Sequence, residues 1–139
     1  CAALQSVLPT ERKPTDAVVL MGHGTHHASN IYYPGVQYYL WQQSPLTILG
    51  TVEGYPGLDE IISELKAKNV KAVWLLPFMS VAGDHAQNDM AGDEADSWKS
   101  QLEVAGFTVK PVLRGLAEFD AINAIWIKHL KEIMYEPED

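Results

Sequence analysis

Three side chains of metal-ligating type recur at a near-constant interval in this sequence: His23, Glu53 and His85, 30 and 32 residues apart. One strand–helix repeat of a parallel sheet takes about 30 residues. Residues at that interval therefore fall after successive strands, along one edge of a sheet. Two neutral imidazole nitrogens and a carboxylate oxygen form a borderline donor set suited to cobalt, nickel, iron or zinc. Three protein ligands leave coordination positions open, as in sites where the ion takes part in chemistry. Gly22 and Gly24 flank His23 and remove side-chain bulk around it, so the imidazole can project toward a ligand. His26 and His27 read as exposed loop residues, His129 as a surface residue of the last helix, and Asp84 and Asp89 as helix caps.

The elements that must position these residues are legible as short apolar runs separated by amphipathic stretches. Ala17 to Met21, Leu46 to Val52, Ala72 to Leu76 and Phe107 to Leu113 are continuous apolar runs of the kind that form strands buried on both faces. Between them, Leu58, Ile61, Ile62 and Leu65 repeat at helical spacing. Ala95, Trp98, Leu102 and Ala105 do the same up to Gly106, with Asp93, Glu94 and Asp96 expected in the first turns, where the helix dipole favours negative charge. Ile122, Trp126, Leu130 and Ile133 give a final stripe, and Asn30 to Gln43 predicts a further helix. The order predicts an α/β fold: an open parallel four-stranded sheet with helices on both faces. Ligands then bind beyond the carboxyl ends of the strands. The loop from Phe78 to Asp89 exceeds the ~2–6 residues usual there, which marks it as functional. His85, within it, is expected to be the more mobile imidazole and His23 the more rigidly placed.

With 139 residues, 47% apolar and 20% charged, the chain is a single folded domain rather than a disordered one. No apolar run approaches the ~20 residues that span a bilayer. A lone cysteine, Cys1, excludes a disulfide framework and a cysteine zinc site. Ten Lys and Arg against eighteen Asp and Glu, a net charge of −8, argue against nucleic acid as a partner. No GxSxG elbow, phosphate loop or GxGxxG turn is present, and Met21-Gly22 stands where a phosphohistidine phosphatase needs an arginine before its histidine. The start at Cys1, with no signal-peptide pattern, reads as a cut from something longer. A lipidated first cysteine is the lesser alternative. Residues 1–16 are expected to be a helix tail and linker from a missing N-terminal half, and 17–139 a single α/β domain.

The segments Met21-Gly22-His23-Gly24-Thr25, Thr51-Val52-Glu53-Gly54 and Leu76 to Ala86, followed by Asn88 to Glu94 and Asp96-Ser97-Trp98, resemble the anaerobic cobalt chelatases of cobalamin biosynthesis, class II chelatases with a chelatase-like (flavodoxin-like) fold. The chain is similar to the C-terminal half of those two-lobed enzymes. The resemblance implies a sirohydrochlorin cobaltochelatase, a lyase that inserts Co²⁺ into a tetrapyrrole without ATP, with Fe²⁺ or Ni²⁺ as alternative metals. It places the metal on His23, Glu53 and His85 and makes the two histidines catalytic, since imidazole exchanges protons near neutral pH. Family haem is held by the half this chain does not resemble, so no organic cofactor is expected. The substrate is then a polycarboxylate, for which Arg114, after the fourth strand, is the candidate clamp, with Arg12 and Lys13 weaker candidates. Met79 and Ser80 are expected to line the pocket. Tyr32, Tyr33, Tyr38, Tyr39 and Trp41 are expected to pack in the core or against the missing half more than to stack on a macrocycle. Completion of the cleft calls for that half or a homo-oligomeric partner, and the rival reading is a non-catalytic metal- or tetrapyrrole-binding module. The expected compartment is the cytoplasm, or the periplasm if a signal peptide precedes Cys1.

Overall fold

The computed structural model describes residues 2–135, so the readings placed on Cys1 fall outside the described residues. The four apolar runs become β1 (Ala17–Gly22), β2 (Thr47–Thr51), β3 (Ala72–Pro77) and β4 (Thr108–Pro111). They pair in parallel in the order β2-β1-β3-β4, with Val19 opposite Ile48 on one side and Leu75 on the other. The helices are α1 (Ala2–Val7), α2 (Tyr32–Gln43), α3 (Leu58–Ala67), α4 (Trp98–Val104) and α5 (Asp120–Tyr135).

Alternation along β1 shows why its apolar run is continuous. Ala17, Val19 and Met21 pack with Ile61, Leu65, Met90 and Leu102 on one face. Val18 and Leu20 pack with Leu4, Leu40, Leu76 and Phe119 on the other. Every residue of β1 and β2 is buried. Burying one such aliphatic side chain is worth about 1.5–3 kcal/mol, so burial on both faces holds the sheet between its helices. The chain leaves β1 toward β2 and then crosses back to β3 on β1's other side. A switch point thus opens between β1 and β3, the place where open α/β sheets bind ligands.

The segment before β1 belongs to this core. Leu4 and Val7 of α1 are buried, and Asp16 is 5% exposed at the entry to β1. Its carboxylate accepts the Trp74 indole N–H (3.0 Å) and the Lys13 backbone N–H (3.2 Å), and the Lys110 ammonium lies 4.7 Å from the Trp74 ring centre. Burial pushes the Asp16 carboxyl up, but the Trp74 and Lys13 hydrogen bonds, with Lys110 and Lys13 nearby, outweigh it and hold the group below its ordinary value.

Three expectations are corrected. β4 is a partly exposed edge strand, with Thr108 and Pro111 at the surface, rather than a doubly buried one. An edge tolerates the missing N–H of Pro111. α4 starts at Trp98 because the Ser97 hydroxyl accepts the Ser100 N–H as an N-cap, so Ala95 and the three acids lie ahead of the helix. Asp93 instead meets Lys99 at 2.7 Å, and that hydrogen bond holds its carboxyl below the ordinary range. Finally, the stripe on α5 does not face the described core. Ile122 packs against it, but Trp126, Leu130 and Ile133 are 43, 57 and 74% exposed.

Candidate metal centre

The parallel ladder continues past the ends of β1 and β2. Val52 N–H donates to Gly22 O (3.0 Å) and Glu53 N–H to His23 O (2.8 Å), so the backbones bearing His23 and Glu53 are bonded to each other. Gly24 follows with φ +78, and a β-carbon there would stand 2.6 Å from Thr51 Cβ and 2.8 Å from Gly54 N. Only glycine allows both the left-handed turn and the approach of the two loops. Asn30 joins them again: its Oδ1 accepts the Thr25 N–H (3.1 Å), and its Nδ2 donates to Tyr55 O (2.7 Å). Gly54 leaves room for that amide. Tyr33 is half-buried beside them and its hydroxyl accepts the Gly24 N–H at 3.1 Å.

Within this frame the His23 Nδ1–H donates to Gly24 O at 3.0 Å, and Glu53 Oε2 lies 3.9 Å from the same nitrogen. A carbonyl only accepts, so the proton sits on Nδ1 and Nε2 carries the free lone pair. His23 and Glu53 side chains are 45 and 49% exposed, enough to meet a ligand from solvent.

His85 arrives from β3. Phe78 N–H donates to Met21 O (2.7 Å), tying the exit of β3 to β1. The segment then forms a single π-helical turn, His85–Met90, marked by Ala91 N–H donating to Ala86 O. This corrects the reading of His85 as part of an irregular loop. Ala86 and Met90 are fully buried and fix the turn to the core. One position earlier, His85 and Asp89 form a parallel pair at the rim, where the His85 Nδ1–H donates to Asp89 Oδ2 at 2.5 Å. Asp89 is thus no helix cap, and Asp84 makes no side-chain cap bond either. The imidazoles of His23 and His85 meet edge to face across the β1–β3 switch point, ring centres 4.7 Å apart and planes at 86°.

The structure places Glu53 and His85 each beside His23, although no three His, Cys, Asp or Glu groups among the described residues stand at metal-holding geometry. Of the other candidates, Arg114 is stacked 4.2 Å from the Phe119 ring centre, donates to Glu118 O (3.1 Å) and lies 3.8 Å from the Glu118 carboxylate. Met79 is half-buried against the core and Ser80 is exposed; their carbonyls accept Leu116 and Ala117 N–H groups. His26 and His27 line an open recess of about 610 Å³ with Glu53 and Tyr55, and His129 is exposed on α5. Of the aromatics expected in the core or against the missing half, Tyr33 packs on the core, whereas Tyr32, Tyr38, Tyr39 and Trp41 are 74, 62, 63 and 42% exposed and so do not pack there. The residue that sequence reasoning misassigned is Asp89; its signal was the four-residue spacing from His85, which stacks two side chains on one flank of a helical turn. Among the described residues no helix is long and apolar enough to cross a membrane.

Comparison with known proteins bears on this arrangement. A sirohydrochlorin cobaltochelatase (CbiKC) of Nitratidesulfovibrio vulgaris is 46% identical over 129 residues, which are 93% of this chain and 46% of that protein. A sirohydrochlorin cobaltochelatase of Salmonella typhimurium is 41% identical over 132 residues, 95% of this chain and 50% of that one. The chain therefore spans about half the length of these curated relatives. The profile of the family described as cobalt chelatase (CbiK) matches residues 1–135. The parallel α/β sheet and a match over nearly the whole chain lead to one conclusion: this chain belongs to the cobalt chelatase (CbiK) family.

Proposed function

We propose that this chain supplies the metal-handling wall of a cleft in which Co²⁺ is inserted into sirohydrochlorin without ATP. The observation that carries the reading is the meeting of the His23 and His85 rings, 4.7 Å apart at the switch point, with the Glu53 carboxylate 3.9 Å from His23. The names of the two relatives, each a sirohydrochlorin cobaltochelatase, support it. In this reading the incoming ion exchanges part of its water shell for the two imidazoles and Glu53, whose half-exposed side chains are open to it from solvent. A borderline N₂O donor set holds cobalt without closing its coordination sphere. As the ion passes to the macrocycle, two pyrrole N–H protons leave, and the two imidazoles released from the metal accept one each before passing them to solvent. Arg114, on the same sheet edge, is the proposed contact for a substrate carboxylate, with its guanidinium already oriented by Phe119 and Glu118. The opposite wall of the cleft corresponds to the portion of the relatives' length that this chain does not match.

Cobalt insertion, followed by the change in sirohydrochlorin visible absorbance, tests the assignment. His23→Ala and His85→Ala are each expected to lose roughly 10²–10⁴-fold in rate with unchanged circular dichroism. Wild-type rates in both variants would overturn it.

A further inference from the structure

The π-helical turn does more than present His85. Its buried pair, Ala86 and Met90, anchors one flank, and the same four-residue spacing, shifted by one position, sets Asp89 directly against His85. The contact is His85 Nδ1–H to Asp89 Oδ2, between side chains 45 and 46% exposed. Among the described residues Asp89 has no other side-chain partner: Lys99 is taken by Asp93, and the cap of α4 belongs to Ser97. An ionised carboxylate only accepts hydrogen bonds. Its presence at Nδ1 therefore keeps the ring proton there and leaves the Nε2 lone pair as the only free donor to a metal. Imidazoles that ligate metals are commonly oriented in this way by a second acceptor. His23 is fixed in the same tautomer by a backbone carbonyl, Gly24 O, which no substitution can remove. The two histidines thus share one outcome reached by different means, and only the one at His85 is open to mutation.

We propose that Asp89 is a positioning residue, which holds His85 as the Nδ1–H tautomer with the ring fixed so that Nε2 is offered to the incoming divalent ion. This rests on the reading of His85 as a metal ligand, but its first consequence, the tautomer, stands in the metal-free protein. Met90, whose side chain is fully buried, keeps the turn in place when Asp89 is changed.

The test has two readouts on the intact chain. Long-range ¹H–¹⁵N correlation spectra of the imidazoles report which nitrogen of His85 carries the proton. Co²⁺ titration, followed by the visible bands of the bound ion, reports affinity. Wild type is expected to show the Nδ1–H tautomer at His85. Asp89→Asn and Asp89→Ala are expected to lose that preference and to weaken Co²⁺ binding about 10–100-fold, while His23 keeps its tautomer. In turnover, the loss is expected in KM for Co²⁺ more than in kcat, and Asp89→Glu is expected to restore part of it. An unchanged His85 tautomer in both Asp89→Asn and Asp89→Ala overturns the proposal. If wild type binds Co²⁺ no better than His85→Ala, the metal-site reading fails, and the tautomer spectra still decide for or against Asp89.

Discussion

A methyl group added to Gly24 and one added to Gly35 meet opposite surroundings, and the contrast shows what each glycine is for. At Gly24 the backbone is left-handed and the new carbon would press on Thr51 Cβ and Gly54 N at 2.6 and 2.8 Å. Both neighbours belong to the strand end and loop that carry Glu53, so relief moves His23 and Glu53 apart. Gly24→Ala is expected to cost about 1–3 kcal/mol of unfolding free energy, and to weaken Co²⁺ binding with it. At Gly35, inside α2, nothing lies within 4 Å of the added carbon. Gly35→Ala there is expected to stabilise by about 0.4–1 kcal/mol, through the unfolded chain, and to leave Co²⁺ binding unchanged. Urea unfolding of the two variants, with a Co²⁺ titration of each, checks the pair; a Gly24→Ala protein as stable as wild type would remove the argument for that turn.

At the scale of elements, Asp16 joins three of them: the segment leading from α1, the start of β1 and, through Trp74, β3. Its carboxyl is held below the ordinary range, so folding is favoured by the ionised form. That contribution is present above the unfolded carboxylate value and disappears as pH falls through the lower folded one. Asp16→Asn is expected to cost about 1–3 kcal/mol near neutral pH, with the gap to wild type narrowing in urea unfolding at about pH 3; a gap independent of pH would rule the carboxylate out as its source. Trp74 was readable only as one more apolar residue of a strand, since a partner 58 positions away leaves no local trace. The strands themselves were legible because both faces of β1 and β2 are buried, which turns burial into an unbroken apolar run. β4 reads the same way yet lies at an edge, because composition does not tell which strand is outermost. The His23, Glu53 and His85 interval was legible for a geometric reason, one such side chain per strand–helix repeat, which sets the three at the ends of successive strands. Asp89 was not, because an acid after a strand reads equally as a cap, and only the π-helical register of His85–Met90 decides between the two.

Taken over the whole molecule, the segments that follow the four strands carry one Lys or Arg, Arg114, against seven acids: Glu53, Asp84, Asp89, Asp93, Glu94, Asp96 and Glu118. Arg114 is itself shared with Glu118 and the Phe119 ring, and Asp93 is shared with Lys99. The ligand edge of the sheet is thus more negative than the chain's net charge of −8 suggests. Such a field attracts a divalent cation and repels a polycarboxylate macrocycle, so the two substrates of the proposed reaction feel it with opposite sign. Added salt shortens the screening length from about 10 Å at 0.1 M to about 3 Å at 1 M. Over that range the apparent KM of this chain for Co²⁺ is expected to rise, while that for sirohydrochlorin falls. Reversing charge at the edge, with Glu94→Lys and Asp96→Lys, both between the His85–Met90 turn and α4, is expected to flatten both trends. Two KM values that move together with salt, or trends unaltered by the charge reversals, would place the controlling field elsewhere than on this edge.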